Sequence, residues 1–119
     1  MNLFIVSGAP NTGKSTTVYH LCTYLLNLGY VKTDIPYNGK RYSTSTSFPP
    51  ILANDFSCLL EKEGKKVLIH TATDDVFNID ALVNSINNHK PSIVITTCRD
   101  FGDWPRDYFC SQLKLVNSL

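Results

Sequence analysis

Leu3-Phe4-Ile5-Val6-Ser7-Gly8-Ala9-Pro10-Asn11-Thr12-Gly13-Lys14-Ser15-Thr16 passes from an apolar run through a glycine-bounded turn into a helix start. The run at residues 3–7 has the pattern of a strand buried on both faces. Beyond Thr16, the residues Val18, Leu21, Cys22, Leu25 and Leu28 fall at i, i+3, i+4, i+7 and i+10, and Gly29 is placed to end the stripe. Residues 14–28 therefore read as a helix. In the turn, Gly8 and Gly13 permit backbone angles and close approach that a side chain would block. The amide N–H groups of Gly8, Ala9, Asn11, Thr12 and Gly13 are expected to converge on an anion, with Pro10, which has none, fixing the turn. The helix N-terminus adds partial positive charge there.

Strand and helix patterns continue along the chain. Val31 to Tyr37 and Lys40 to Thr46 flank Asn38-Gly39, a strong hairpin signal, and the segment at about 30–50 reads as a hairpin or flap, with a plain linker as the alternative. Phe56, Leu59 and Leu60 recur at helical spacing before Gly64. Val67-Leu68-Ile69-His70-Thr71-Ala72 and Ser92-Ile93-Val94-Ile95-Thr96-Thr97 read as core strands. Between them lies a helix stripe of Ile79, Leu82, Val83 and Ile86 that Asn78 can cap. Pro105 suits the first turn of a last helix carrying Phe109, Leu113 and Val116. Alternating strands and helices predict an α/β fold, a three-layer α/β/α sandwich with a small, mainly parallel sheet of three or four strands. At 119 residues the chain predicts one domain, 1–119.

The sequence Gly8-x-x-x-x-Gly13-Lys14-Ser15, set between strand and helix, resembles the phosphate loop (Walker A motif) of the P-loop NTPase superfamily. The resemblance covers residues 3–28. It implies the P-loop NTPase fold and binding of a nucleoside triphosphate with Mg²⁺. Lys14 would reach the β- and γ-phosphates, Ser15 would ligate the metal, and Thr16 would bond an α-phosphate oxygen. Asp-x-x-Gly and Asn/Thr-Lys-x-Asp, which guanine-nucleotide switches need, do not occur, so ATP is preferred over GTP. The chain is similar in spirit to small nucleotide and metabolite kinases. That likeness implies phosphoryl transfer to a small-molecule acceptor, with Arg99 and Arg106 neutralising the transferred group and Asp34 orienting the acceptor hydroxyl. Arg41, in the flap, is a further candidate to close over the phosphates.

A second magnesium carboxylate belongs at the end of a core strand. Asp74 is the chosen candidate, with neighbouring Asp75 and the later Asp100 as alternatives. His70, inside an apolar strand, reads as a satisfied core histidine, and Trp104 reads as packing. The four cysteines are widely spaced, with no Cys-x-x-Cys pair, and read as reduced and mostly buried. A formal charge of +1 supplies no basic field, so nucleic acid is not indicated as a partner. No run reaches membrane-spanning length, and a cytoplasmic location is expected. Three functions remain in view: a Mg·ATP-dependent phosphotransferase, an ATPase or GTPase-type switch acting through a partner protein, and a non-catalytic nucleotide-binding module.

Overall fold

The computed structural model describes residues 1–7, 14–35, 56–73, 75–98 and 104–117, with the side chains of residues 14, 15 and 115–117 outside that description. The elements are β1 (Asn2–Ser7), α1 (Lys14–Asn27), β2 (Val31–Asp34), β3 (Ser57–Lys62), β4 (Lys65–His70), α2 (Val76–His89), β5 (Ile93–Cys98) and α3 (Arg106–Asn117). Local chemistry sets their boundaries. α1 stops at Gly29, whose φ of 98° closes a left-handed cap: Gly29 N–H donates to Leu26 O and Tyr30 N–H to Leu25 O. α2 is capped by Asp75, whose carboxylate accepts from Asn78 N–H at 2.8 Å, so the cap stands three residues earlier than the Asn78 expected from sequence.

The five strands form one sheet in the order β1-β5-β4-β3-β2. β1 pairs parallel with β5, and β5 with β4. β3 pairs antiparallel with both β4 and β2. This overturns the expected mainly parallel, three-layer sandwich of the P-loop NTPase fold. The sheet is mixed, half of its strand pairings are antiparallel, and it has five strands where three or four are expected. The main cause lies at residues 56–62. They do not form a helix but the first arm of a tight hairpin, turned by Glu63 and Gly64 at φ of 51° and 80° between the partners Lys62 and Lys65.

The first arm of the hairpin expected around Asn38-Gly39 also departs from the sequence reading. Val31–Asp34 is an edge strand on β3, with Val31 opposite Glu61, and the rest of that segment, 36–55, lies outside the described residues. A further correction concerns β1. It is an outer strand rather than one buried on both faces, and Phe4 and Ile5 stay 57% and 42% exposed.

Each face of the sheet carries an apolar cluster. On one, Val18 and Cys22 of α1 pack with Phe56, Cys58, Leu60, Val67, Ile69 and Ile95. On the other, Ile79, Leu82 and Ile86 of α2 and Phe109 and Leu113 of α3 pack with Leu59, Leu68, Val94 and Cys98. Adjacent residues of β3 and β4 point to opposite clusters, which is why both strands read as unbroken apolar runs. The Cys58 thiol, hydrogen-bonded to Cys22 and buried, is held well above the ordinary thiol range, so Cys58 stays protonated and serves as packing beside the buried Cys22. Among the described residues no helix is long and apolar enough to cross a membrane.

Candidate functional site

β1, β5 and β4 run in the same direction, so Ser7, Cys98 and the chain leaving His70 emerge at one edge of the sheet. In open α/β sheets this carboxyl edge is where ligands bind. α1 begins at Lys14, seven residues past the end of β1, and packs back over the β1 and β5 side, which brings its N-terminus to that edge. Between strand end and helix start lie Gly8, Ala9, Pro10, Asn11, Thr12 and Gly13, all outside the described residues. Lys14 and Ser15 are the first two residues of α1, and the half-buried Thr16 follows in its first turn.

Arg106, the first residue of α3, comes to the same edge. Its Nη1 donates to Ser7 Oγ at 3.3 Å and to Cys98 Sγ at 3.7 Å. Ser7 and Cys98 are register partners across β1 and β5, so the guanidinium spans the ends of both strands. A cation gains nothing from the positive end of a helix, and these side-chain contacts rather than the dipole of α3 account for its position. Asp107 supplies the acid of that first turn.

The gap between β4 and β5 at this edge is closed by buried threonines. Thr96 Oγ1 donates to His70 O, and Thr97 Oγ1 donates to Thr71 O at 2.8 Å. Thr73 Oγ1 donates to Thr97 O at 2.9 Å and lies 3.0 Å from Thr97 Oγ1. These bonds carry the ladder past the last residue of β4 and fix where Thr73 delivers the chain toward residue 74. Ser7, Cys98, Thr73 and Thr97 carry no motif in the sequence; Ser7 and Thr97 show there only as polar residues closing an apolar run.

No family model, no curated protein and no solved structure matches the chain. The expected site residues divide by position. Arg106 joins Ser7 at the carboxyl end of β1. Asp34 stands at the end of β2, four strands away, roughly 19 Å at the usual strand spacing. Its Oδ1 is held by Lys32 Nζ at 3.1 Å in a buried ion pair, and Oδ2 is buried with no hydrogen-bond partner among the described residues. Asp75 has both carboxylate oxygens on Asn78 as a helix cap. His70 is buried and fully engaged, as a core histidine. Trp104 is exposed rather than packed. Asp74, Arg99, Asp100 and Arg41 lie outside the described residues. Among the described residues no three His, Cys, Asp or Glu side chains gather as metal ligands.

Proposed function

We propose that the chain binds the polyphosphate of a nucleoside triphosphate, ATP before GTP, at the carboxyl end of β1. What supports this reading is that α1, starting at Lys14, is the next element after a strand that ends at Ser7. The sequence Gly8-x-x-x-x-Gly13-Lys14-Ser15 thereby spans a strand end and a helix N-terminus, where backbone N–H groups and the helix dipole favour an anion. Function belongs to the site rather than to the sheet around it, so a mixed sheet does not weaken this argument.

In this reading the loop amides and Lys14 hold the phosphates, and Thr16 bonds an α-phosphate oxygen. The hydroxyl of Ser15 and the carboxylate of Asp74 are hard oxygen donors of the kind Mg²⁺ takes; the metal would supply charge neutralisation on the β- and γ-oxygens. Arg106 places a positive charge beside Ser7, at the strand end that leads into the Gly8–Gly13 segment, where it would act on a terminal phosphoryl group. The reaction class that follows is Mg-dependent phosphoryl transfer from ATP to a small molecule or nucleotide, in the cytoplasm. Asp34 is too far along the sheet to touch that phosphoryl group, and as an acceptor-orienting residue it would need an acceptor reaching across the sheet edge.

Calorimetric titration with Mg·ATP and Mg·GTP tests binding. Lys14→Ala should weaken it about 10- to 100-fold through loss of a charge-assisted contact. Unchanged affinity in that variant rejects the site. ADP release followed with a library of nucleosides, nucleotides and sugars then separates the outcomes. Acceptor-stimulated release supports transfer, slow release raised only by a protein partner supports a switch, and binding without release supports a non-catalytic module.

A further inference from the structure

β1 contrasts with the opposite edge of the sheet. β2 is four residues long and carries Lys32 and Asp34, the charged short edge that discourages strand addition. β1 is six residues long, Asn-Leu-Phe-Ile-Val-Ser, with no charge and no proline, and among the described residues no strand pairs with its outer side. The groups that no described strand pairs on that side can be named. Asn2 N–H donates to Ser92 O, so the even-numbered residues of β1 turn their N–H and C=O toward β5. The N–H and C=O of Leu3, Ile5 and Ser7 therefore project from the free edge.

We infer that β1 is a self-pairing edge, which joins β1 of a second copy of this chain antiparallel about a two-fold axis through Ile5. Three outward residues spaced two apart form a self-complementary set. With Ile5 opposite its own copy, Leu3 falls opposite Ser7 at both ends, and each of the three positions becomes a hydrogen-bonded pair exchanging two bonds. Any other two-fold register leaves an outward residue unmatched. The absence of charge makes the edge compatible with itself, because a like charge would meet its own copy across the axis. The same register sets Phe4 opposite Val6 of the other copy on the face covered by α1, and covers the exposed part of Ile5 on the other face. An isologous pairing of this kind closes at two copies, and the two sheets join into one.

The native chain is tested first. Sedimentation equilibrium over a range of concentrations should give a monomer–dimer equilibrium with no larger species. Amide hydrogen exchange by NMR should show Leu3, Ile5 and Ser7 protected in concentrated samples and losing protection on dilution, while Phe4 and Val6 stay protected throughout. Ile5→Pro removes an N–H that β5 does not use and deletes the two central bonds of the pair. It should raise the dimer dissociation constant about tenfold or more. A monomer at every concentration, with Leu3 and Ile5 exchanging at the rate of an open edge, overturns the inference and leaves the edge to a foreign strand. A dimer that Ile5→Pro leaves intact overturns it as well. Should Ile5→Pro fail to fold, the concentration dependence of Leu3 and Ile5 exchange in the native chain decides.

Discussion

Ser57 Oγ donates a hydrogen bond of 3.0 Å to Nδ1 of His70, its register partner across the antiparallel β3–β4 ladder. The direction follows from the other ring nitrogen. Nε2 lies 2.7 Å from Ala72 O and 3.0 Å from Asn78 O, and two carbonyls can only accept, so Nε2 carries the proton and Nδ1 is left to receive one. Burial pushes the His70 pKa down from 6.5 to about 4, against the opposing pull of the two carbonyls. A neutral imidazole thereby ties the end of β4 to the first turn of α2, and α2 starts beside the carboxyl edge.

This arrangement makes stability depend on pH in a defined window. The unfolded chain takes up the His70 proton more readily than the folded one. The contribution is complete above about pH 6.5 and is lost as pH falls toward 4, to a total on the order of 3 kcal/mol. Urea unfolding of the native chain and of His70→Gln, at neutral pH and at about pH 4.5, reads it. The native chain should lose more stability than the variant between the two conditions. Equal losses would show that His70 is not held neutral by burial.

Arg106→Ala removes the guanidinium from Ser7 and Cys98. On the proposed reading, turnover of Mg·ATP falls about 100-fold while ATP affinity changes much less, because the charge acts on the terminal phosphoryl group. A variant that melts earlier but turns over normally would assign Arg106 to holding α3 in place.

The Glu63-Gly64 turn carries two left-handed residues in a row. A Cβ on Gly64 meets nothing within 4 Å, so Gly64→Ala isolates the backbone cost and should destabilise by about 1 kcal/mol. Glu63→Asn should stabilise by about 0.5 kcal/mol, since asparagine tolerates that conformation better. Thermal unfolding of both variants checks the signs, and a neutral Gly64→Ala would contradict the turn geometry.

Asp75→Ala deletes the cap of α2 and should cost about 1 kcal/mol in chemical denaturation. With Asp75 engaged by Asn78, the same variant should bind Mg·ATP as tightly as the native chain. Loss of Mg-dependent binding in Asp75→Ala would make this residue, in place of Asp74, the metal carboxylate.

Much of this architecture can be read from residue order, and the failures share one physical origin. The stripe of Val18 and Cys22 and the end of α1 at Gly29 show in the sequence because the helical period dominates there, and the buried strands around Leu68 and Val94 show as short unbroken apolar runs. At Phe56, Leu59 and Leu60 it does not. Cys58 and Leu60 face one cluster and Leu59 the other, so a strand with both faces covered loses its alternation and its apolar positions fit helical spacing equally well. Missing that strand made the sheet look parallel. β1 misleads in the opposite sense, since Leu3 to Val6 has the composition of an interior strand and occupies the outside. At the site, Arg106 meets Ser7 across 99 positions of sequence, a pairing that only the strand order creates.

The ladder joining Asn2 to Ile93 and Ser7 to Cys98 has a consequence for how the chain is made. Synthesis proceeds from the N-terminus, so the segment Leu3 to Val6 leaves the ribosome long before its hydrogen-bonding partner exists. The β3–β4 hairpin needs only a two-residue loop and closes from residues already at hand, whereas β1 waits for the translation of Cys98. Until then a greasy, uncharged stretch has no home, and a holding chaperone that favours such stretches would meet this nascent chain at Leu3 to Val6.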